Sequence, residues 1–225
     1  MHIYVKALTK IASRYAPSRI LSFELVHIFK VFQLLDKRGH ISRTLLCQEL
    51  GLGEGSVRTL VKHLKMQSLV KSTNGGTRAT EKGKALSSEL LQSIPSEVIM
   101  PKCSIALGKF NYAVILRNYG FAIRSGIEQR DAAIKIGALG ATTLLYREHK
   151  FVMPAAYNNN NSNNNDFLQI EPHVVNLLID KLKPEGNDVI IIGSDNESLR
   201  AAEFAAKNAA LYTITNHETH KEFTN

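Results

Sequence analysis

Residues 54–65 combine side chains that could bind a nucleic acid. If this segment is a helix, Val57, Leu60, Val61 and Leu64 have the i, i+3, i+4, i+7 spacing of one buried stripe. The opposite face then carries Ser56, Arg58, Thr59, Lys62, His63 and Lys65. In a helix lying in the major groove, small polar side chains near the start can contact base edges and later cations can contact phosphates. An amphipathic helix whose basic face is only solvated has the same pattern. The neighbouring elements therefore help to decide between a DNA-binding helix and a solvated one.

The residues before this segment predict two further helices. The helix over residues 22–37, with Ser22 as its expected N-cap, is apolar on nearly every side and must be covered on more than one face. It could be buried between domains or at a dimer seam. Ser42 is expected to cap a helix over residues 43–50, and a tight turn at Gly51-Leu52-Gly53 then leads into the basic segment.

The residues after the basic segment predict a β-hairpin and one more helix. Strand-like runs at residues 69–72 and 77–79 flank an Asn-Gly pair, which is a strong hairpin signal because type I′ turns need positive φ at both central positions. Thr80 is expected to cap a helix over residues 81–92. Helix, helix-turn-helix, hairpin and helix is the element order of a winged helix.

The charge distribution favours binding of a polyanion by this first part. The 225-residue chain has a net charge of +8. Residues 1–95 contain 15 Lys and Arg against 6 Asp and Glu, whereas residues 96–225 contain 13 against 14. A basic half joined to a neutral half is typical of a nucleic-acid-binding module attached to a part with another task.

The stretch LLCQELGLGEGSVRTLVKHLKMQSLVKS, followed by GGTRATEKGKAL, resembles the winged-helix core of prokaryotic, especially archaeal, transcription regulators. The phrase T-x-x-G-x-x-L matches Thr80, Gly83 and Leu86, and the resemblance spans roughly residues 20–95. It implies DNA contacts from the recognition helix and from the wing. The full set of expected DNA-binding residues is Arg43, Ser56, Arg58, Thr59, Lys62, His63, Lys65, Lys71 and Arg78. Some winged helices serve only as protein-interaction modules, and that reading is the alternative.

The second half predicts a small α/β or α+β domain over residues 96–225, after a short hinge at residues 93–96. Strands are expected at residues 104–107, 111–117, 141–146, 151–153 and 188–192, and helices at 131–136, 174–182 and 198–210. The unbroken apolar run at residues 188–192 predicts a strand buried on both faces. An Asn-rich run within residues 157–166 cannot pack a core, so we expect a disordered loop there.

Two places in this domain could hold a small polar ligand. Gly193, Ser194 and Asp195 join a strand to a helix, where free backbone N–H groups can bind an anion, and Ser194 with Glu197 has capping-box spacing. Gln129, Arg130 and Asp131 stand at a helix start, where they could bind a ligand or form a solvated ion-pair network. The phrases IGALGATTLLY and VIIIGSDNE resemble a C-terminal domain without assigned function found in archaeal winged-helix proteins, over about residues 105–212.

Other chemistry finds no support in the sequence. His217 and His220 lack further ligands at zinc-like spacing, and no dinucleotide, P-loop or nucleophile-elbow motif is present, so we expect no metal, no cofactor and no catalytic residue. No apolar stretch is long enough to cross a membrane, and the N-terminus is unlike a secretory signal. Of the two cysteines, Cys47 is expected to act as a small buried hydrophobe, which fits a reducing cytoplasm.

The sequence therefore predicts an α+β chain with an N-terminal winged helix-turn-helix domain and a small α/β C-terminal domain. We expect a cytoplasmic transcriptional regulator that binds duplex DNA as a homodimer, without an enzymatic activity. The C-terminal domain would sense a small-molecule effector or hold the dimer together. The alternative is an enzyme or small-anion-binding protein acting through that C-terminal domain.

Overall fold

The computed structural model describes residues 21–154 and 170–216. The chain divides into two compact units, Met1–Gln92 and Ser93–Asn225. The Asn-rich run and the two C-terminal histidines considered above lie outside the described residues. Among the residues described, no helix has the length and apolar character needed to cross a membrane.

Three helices begin the first unit. They are α1 (Leu25–Arg38), α2 (Arg43–Leu50) and α3 (Glu54–Met66). As predicted, Ser42 caps α2, because its Oγ accepts a hydrogen bond of 3.2 Å from the Leu45 N–H. Gly51 ends that helix in a left-handed conformation, which glycine adopts without steric cost. The prediction that Ser22 caps α1 was wrong, since the N-cap is Glu24.

Helix α1 is buried on nearly every side within the single chain. Its buried apolar residues are Val26, Ile28, Phe29, Val31, Phe32, Leu34 and Leu35. The prediction that this helix must be covered on several faces is confirmed. A dimer seam is not needed to cover it, so this helix no longer supports dimerisation.

A two-stranded antiparallel hairpin follows, formed by β1 (Val70–Thr73) and β2 (Gly76–Ala79). The predicted Asn-Gly pair forms the two-residue turn between them. Thr77 also exchanges two backbone hydrogen bonds with Ile41, of 2.8 and 2.9 Å, which attaches the hairpin to the residues before α2. Gly76 has a φ of 119°, and a Cβ there would lie 2.3 Å from the Ile41 carbonyl oxygen, so this close approach requires glycine.

The phrase T-x-x-G-x-x-L fixes helix α4 (Glu81–Ser93) to the end of α3 and the start of β1. The Thr80 Oγ1 accepts from the Gly83 N–H at 3.0 Å and donates to the Ser68 carbonyl oxygen at 2.7 Å. A Cβ on Gly83 would lie 2.0 Å from the Leu69 carbonyl oxygen. Leu86 is buried. These motif residues therefore have a structural role in the first unit.

The second unit contains a five-stranded antiparallel sheet. Its strands are β3 (Glu97–Met100), β4 (Phe110–Leu116), β5 (Gly140–Arg147), β6 (Lys150–Val152) and β7 (Val189–Asp195). Their order in the sheet is β3-β4-β7-β5-β6. Three α-helices accompany them, namely α5 (Ile127–Lys135), α6 (Pro172–Leu182) and α7 (Leu199–Asn216). A short 3-10 helix covers Gly120–Ala122.

The sheet has helices on both faces. Residues of α6 pack on one face, in a cluster that includes Ala113, Ile115, Leu144, Ile190 and Ile192. Helix α7 packs on the other face, so closely that a Cβ on Gly193 would lie 2.2 Å from the Ala202 carbonyl oxygen. The predicted burial of β7 on both faces is confirmed, since all its residues are buried.

The prediction of an α/β C-terminal domain was wrong in its stricter sense, because every pair of neighbouring strands is antiparallel. Strands β4 and β5 do run parallel to each other, joined through α5, as the alternation of strand and helix indicated. However, β7 lies between them and pairs antiparallel with both. The chain as described is α+β, with seven α-helices and two antiparallel sheets.

Two local predictions in this unit also failed. Residues 104–107 form a turn, and Ile105 is apolar because that turn reaches the core. The edge strand β3 begins directly after the predicted hinge at residues 93–96, where no strand had been expected. Edge strands are short and carry little periodicity, so a four-residue strand gives a weak sequence signal.

Candidate nucleic-acid interface

The exposed face of α3 carries a row of cations. Val57, Leu60 and Leu64 are completely buried, which confirms the predicted stripe except that Val61 is only half-buried. On the opposite face Arg58, Lys62 and Lys65 follow one another at i, i+4 and i+7, and all three are exposed. We name these three residues the basic row.

The other three predicted contacts on α3 lie on a neighbouring, half-buried line. The Thr59 Oγ1 donates a hydrogen bond of 3.0 Å to the Gly55 carbonyl oxygen of its own helix. The His63 ring meets the buried Phe23 ring edge-on, with 5.6 Å between centroids. Ser56 is half-buried as well. These residues are therefore less accessible to a large ligand than the basic row is.

Two cations stand opposite each other on the hairpin. Lys71 of β1 is the register partner of Arg78 of β2, and both side chains are exposed. Like charges placed directly opposite across an antiparallel pair destabilise the hairpin. The register therefore places two positive charges side by side on the surface of the hairpin.

None of the four lysine and arginine residues Lys62, Lys65, Lys71 and Arg78 forms an ion pair with a residue that the structure describes. Their positive charges therefore face solvent. The pKa of Glu81, just after the hairpin, is lowered mainly by its hydrogen bond to Lys84. Arg78 and Lys71 contribute least to this lowering of the pKa. An exposed ammonium without a protein partner is available to a phosphate.

Sequence reasoning missed Glu54, the first residue of α3. Its Oε1 accepts hydrogen bonds from Arg58 at 3.1 Å and from Arg43 at 3.3 Å, so the carboxylate brings these two predicted contacts together. These bonds, that to Arg58 first, lower the pKa of the Glu54 carboxyl below its ordinary value. The i, i+4 spacing of Glu54 and Arg58 was a sequence signal that could have identified this pair.

The predicted ligand residues at the start of α5 do not form one site. Gln129 is buried, and its Nε2 donates a hydrogen bond of 2.9 Å to the Thr213 Oγ1 on α7. Arg130 and Asp131 are exposed and pair with each other at 2.9 Å. Of the two alternatives given above, ligand binding or a solvated ion pair, the structure shows the ion pair for Arg130 and Asp131.

The predicted anion site at the end of β7 is filled by the chain itself. The Asp195 Oδ1 accepts from the Glu197 N–H at 2.7 Å and the Ser198 N–H at 3.0 Å, so a carboxylate already occupies these donors. The buried Ser194 Oγ donates to the Asn111 Oδ1, and Gly193 supports the close packing of α7. The predicted capping box of Ser194 and Glu197 was wrong, because Ser198 Oγ accepts from the Ala201 N–H and caps α7.

The second unit also buries a charged cluster on its α7 face. Lys207 is completely buried, lies 2.8 Å from the Glu97 Oε2 and also pairs with Glu203. The Lys207 Nζ stands 5.6 Å from the centre of the Tyr112 ring. Burial, and then the neighbouring Glu97 and Glu203 carboxylates, raise the pKa of the Tyr112 hydroxyl well above its ordinary value. Within the described residues no group of His, Cys, Asp and Glu is arranged to hold a metal ion.

Comparison with known proteins divides the chain in the same way. The family described as "PH0730-like, N-terminal domain" matches residues 26–85, and the "Domain of unknown function (DUF4443)" matches residues 107–214. Among solved structures, "Hypothetical protein PH0730 from Pyrococcus horikoshii OT3" is similar at 25% identity, with a TM-score of 0.65. That match covers 88% of this chain and 95% of the other. No protein with a curated description matches the chain.

These similarities support a two-part chain whose second part resembles a domain without assigned function, as the sequence predicted. They name no activity and no ligand. The feature that bears on function is therefore the charged surface of the first unit.

Proposed function

We propose that the described part of the first unit, residues 21–92, forms a winged helix-turn-helix domain that binds duplex DNA, and that the protein regulates transcription. The order α1, α2, α3, hairpin and α4 supports this fold, with α3 as the recognition helix and the hairpin as the wing. The two backbone hydrogen bonds between Ile41 and Thr77 attach the wing to the segment that precedes α2.

The observation that carries the proposal is the position of the exposed cations. The basic row occupies the exposed face of the recognition helix, and Lys71 with Arg78 occupies the wing. A helix in the major groove with a wing along the adjacent backbone would place both sets against phosphates. Lys62, Lys65, Lys71 and Arg78 would then supply affinity independent of sequence.

Base recognition falls mainly to Arg58 in this proposal. Its side chain is exposed near the start of α3, where helix residues reach base edges, and a guanidinium can bind the O6 and N7 of guanine with two hydrogen bonds. Ser56 and Thr59 would contribute at the edge of the contact, because they are half-buried. Arg43, next to Arg58 through Glu54, would contact the backbone beside it.

The experiment that tests the proposal is the affinity for a labelled duplex as a function of salt. Replacing Lys62 and Lys65 by Ala should reduce the slope of log affinity against log salt by about 2, because each lost phosphate contact removes about 1. A matched control replaces the exposed lysines Lys135 and Lys181 of the second unit, which changes the net charge equally. Equal slopes for the two variants would show that α3 is not the DNA-binding surface.

We propose further that the second unit holds a homodimer together. Of the large apolar side chains exposed in the described residues, only Met66 lies in the first unit and the other nine lie in the second. Leu107, Phe110 and Leu139 are all at the end of the sheet where β7 finishes, because each contacts or pairs near Ser194 and Asp195. Helix-turn-helix proteins commonly bind as two-fold dimers.

Sedimentation equilibrium of the wild-type chain and of a Leu107→Lys/Leu139→Lys variant tests this assignment. We expect a dimer for the wild type and a monomer, still folded, for the variant. A wild-type monomer at micromolar concentration, or a variant that stays dimeric, would remove the second unit from this role.

A further inference from the structure

A single carboxylate interrupts the positive surface of α3. Glu54 continues the basic row by one turn, since it lies four residues before Arg58 on the same exposed face. Its side chain is 61% exposed, and those of its partners Arg43 and Arg58 are 56% and 67% exposed. The three side chains thus form a cation–anion–cation group at the surface that would face DNA.

This group contributes little to the stability of the fold. Exposed ion pairs stabilise proteins only slightly, because water screens both charges. On a DNA-binding surface, moreover, a carboxylate repels the phosphates that the neighbouring lysines attract. As an acidic residue in the first turn of α3, Glu54 interacts favourably with the helix dipole, but the same carboxylate weakens non-specific binding of DNA.

Glu54 acts on Arg58 through a direct hydrogen bond. One Nη2–H of Arg58 is bonded to Glu54 Oε1, and among the described residues Glu54 is the sole hydrogen-bond partner of this guanidinium. A guanidinium has five N–H donors, so enough remain for two bonds to one guanine edge. An arginine held in place loses less rotamer freedom on binding, and one paired with a carboxylate is less attracted to phosphates.

We infer that Glu54 is a positioning residue for sequence recognition: it holds Arg58 toward the base edges and disfavours its use as a phosphate contact. This inference rests on the proposed DNA-binding function of α3. It predicts that Glu54 lowers the total affinity for DNA and raises the ratio between the affinities for the preferred and the substituted site.

The test compares Glu54→Gln with Glu81→Gln. Glutamine keeps the shape and an acceptor oxygen but removes the charge. Glu81 is an exposed carboxylate next to the wing cations and is paired with Lys84, whereas the ion-pair partner of Arg58 is Glu54. The Glu81 variant therefore changes the net charge of the same unit equally. A duplex obtained by selection with the wild type, and the same duplex with each guanine replaced in turn, are the probes.

Both variants should bind the non-specific duplex more tightly, because each removes one negative charge from the surface. Only Glu54→Gln should lower the guanine preference at one position, by about fivefold, a part of the discrimination of about 5- to 150-fold that a bidentate arginine–guanine pair provides. In an Arg58→Ala background, Glu54→Gln should cause no further loss of preference, since its effect passes through Arg58.

An equal guanine preference for Glu54→Gln, Glu81→Gln and the wild type would overturn the inference and leave the proposed function intact. An undiminished effect of Glu54→Gln in the Arg58→Ala background would also overturn it, because Glu54 would then act on the base directly. If the wild type binds no duplex, the proposed function itself fails, and the inference fails with it.

Discussion

The two units differ in whether their charged side chains are exposed or are buried in ion pairs. In the first unit, Lys62, Lys65, Lys71 and Arg78 face solvent without an ion pair among the described residues. In the second unit the characteristic charges are buried and paired, above all Lys207 between Glu97 and Glu203. The buried Asp188 likewise accepts hydrogen bonds from Arg117 at 2.5 Å and from the N–H groups of Asn118 and Glu185.

This difference separates the charges of the proposed binding surface from the charges that hold the fold. A buried charge must find its partner inside the protein, because its desolvation costs several kcal/mol. An exposed cation needs no internal partner, and a cluster of such cations raises the local concentration of a polyanion. The predictions below test this division by removing members of each set.

The largest effect is expected at Lys207. Replacing it by Ala leaves the Glu97 and Glu203 carboxylates facing each other in a buried place, which should lower the free energy of unfolding by about 3–5 kcal/mol. Urea unfolding, with the exposed Lys181→Ala as control, measures the change. A loss below about 1 kcal/mol would mean that the cluster is open to water and does not hold the fold.

The next effect concerns His27, a half-buried titratable group of the first unit. Its Nδ1 accepts a hydrogen bond of 3.0 Å from the Glu24 N–H, and burial lowers the pKa of His27 to about 4. The unfolded chain then binds this proton near pH 6.5 and the folded chain only near pH 4. Stability from His27 is therefore complete above pH 6.5 and falls by up to about 3 kcal/mol as the pH drops to 4.

Urea unfolding of the wild type and of His27→Gln across this pH range measures that contribution. The wild type should lose more stability than the variant between pH 6.5 and 4. Parallel pH profiles would show that His27 is charged in the folded protein.

A smaller loss is expected from Thr80→Ala. The variant removes the hydroxyl that accepts from Gly83 and donates to Ser68, which should cost about 1–2 kcal/mol as for other N-caps. Because Thr80 holds the fold and is not part of the proposed binding surface, the salt dependence of DNA binding should stay unchanged. A reduced salt slope would place Thr80 at the DNA interface and would contradict the separation of binding residues from residues that hold the fold.

The smallest effect on stability, and the opposite in sign, is expected from Lys71→Gln/Arg78→Gln. Removing two like charges that face each other should stabilise the hairpin by about 0.2–1 kcal/mol. The salt slope of DNA binding should nevertheless fall by about 2. Thermal unfolding and duplex titration of the same sample measure both quantities, and a destabilised variant with unchanged binding would contradict the assignment.

The first unit was the more predictable from sequence because its signals are local. The bounds of α2 and α3, the cap at Ser42 and the Asn-Gly turn depend on residues close together in the chain, and all were predicted to within one residue. The exposed positions of Arg58, Lys62 and Lys65 followed from helical periodicity alone. The half-burial of His63 did not, because it depends on Phe23, forty residues away.

The second unit depends on pairing between distant residues. The residues near β4 and β5 carry no signal that β7 lies between these two strands. The alternation of strands and helices therefore predicts an α/β domain, although the sheet is antiparallel. The buried contacts of Gln129 with Thr213 and of Ser194 with Asn111 join residues more than eighty positions apart. The pattern of polar residues at helix starts therefore predicts ligand sites, whereas the folded chain supplies their hydrogen-bond partners itself.

The most direct test of the central claim is selection from a random duplex pool, with the salt dependence of binding measured for the selected site, using the wild type and Arg58→Ala. We expect the wild type to enrich one site with a steep salt slope, and Arg58→Ala to lose about 1–3 kcal/mol and its preference at one position. If the wild type enriches no sequence and binds no better than the variant, α3 is not a DNA-reading helix. The first unit would then be an interaction module for another protein.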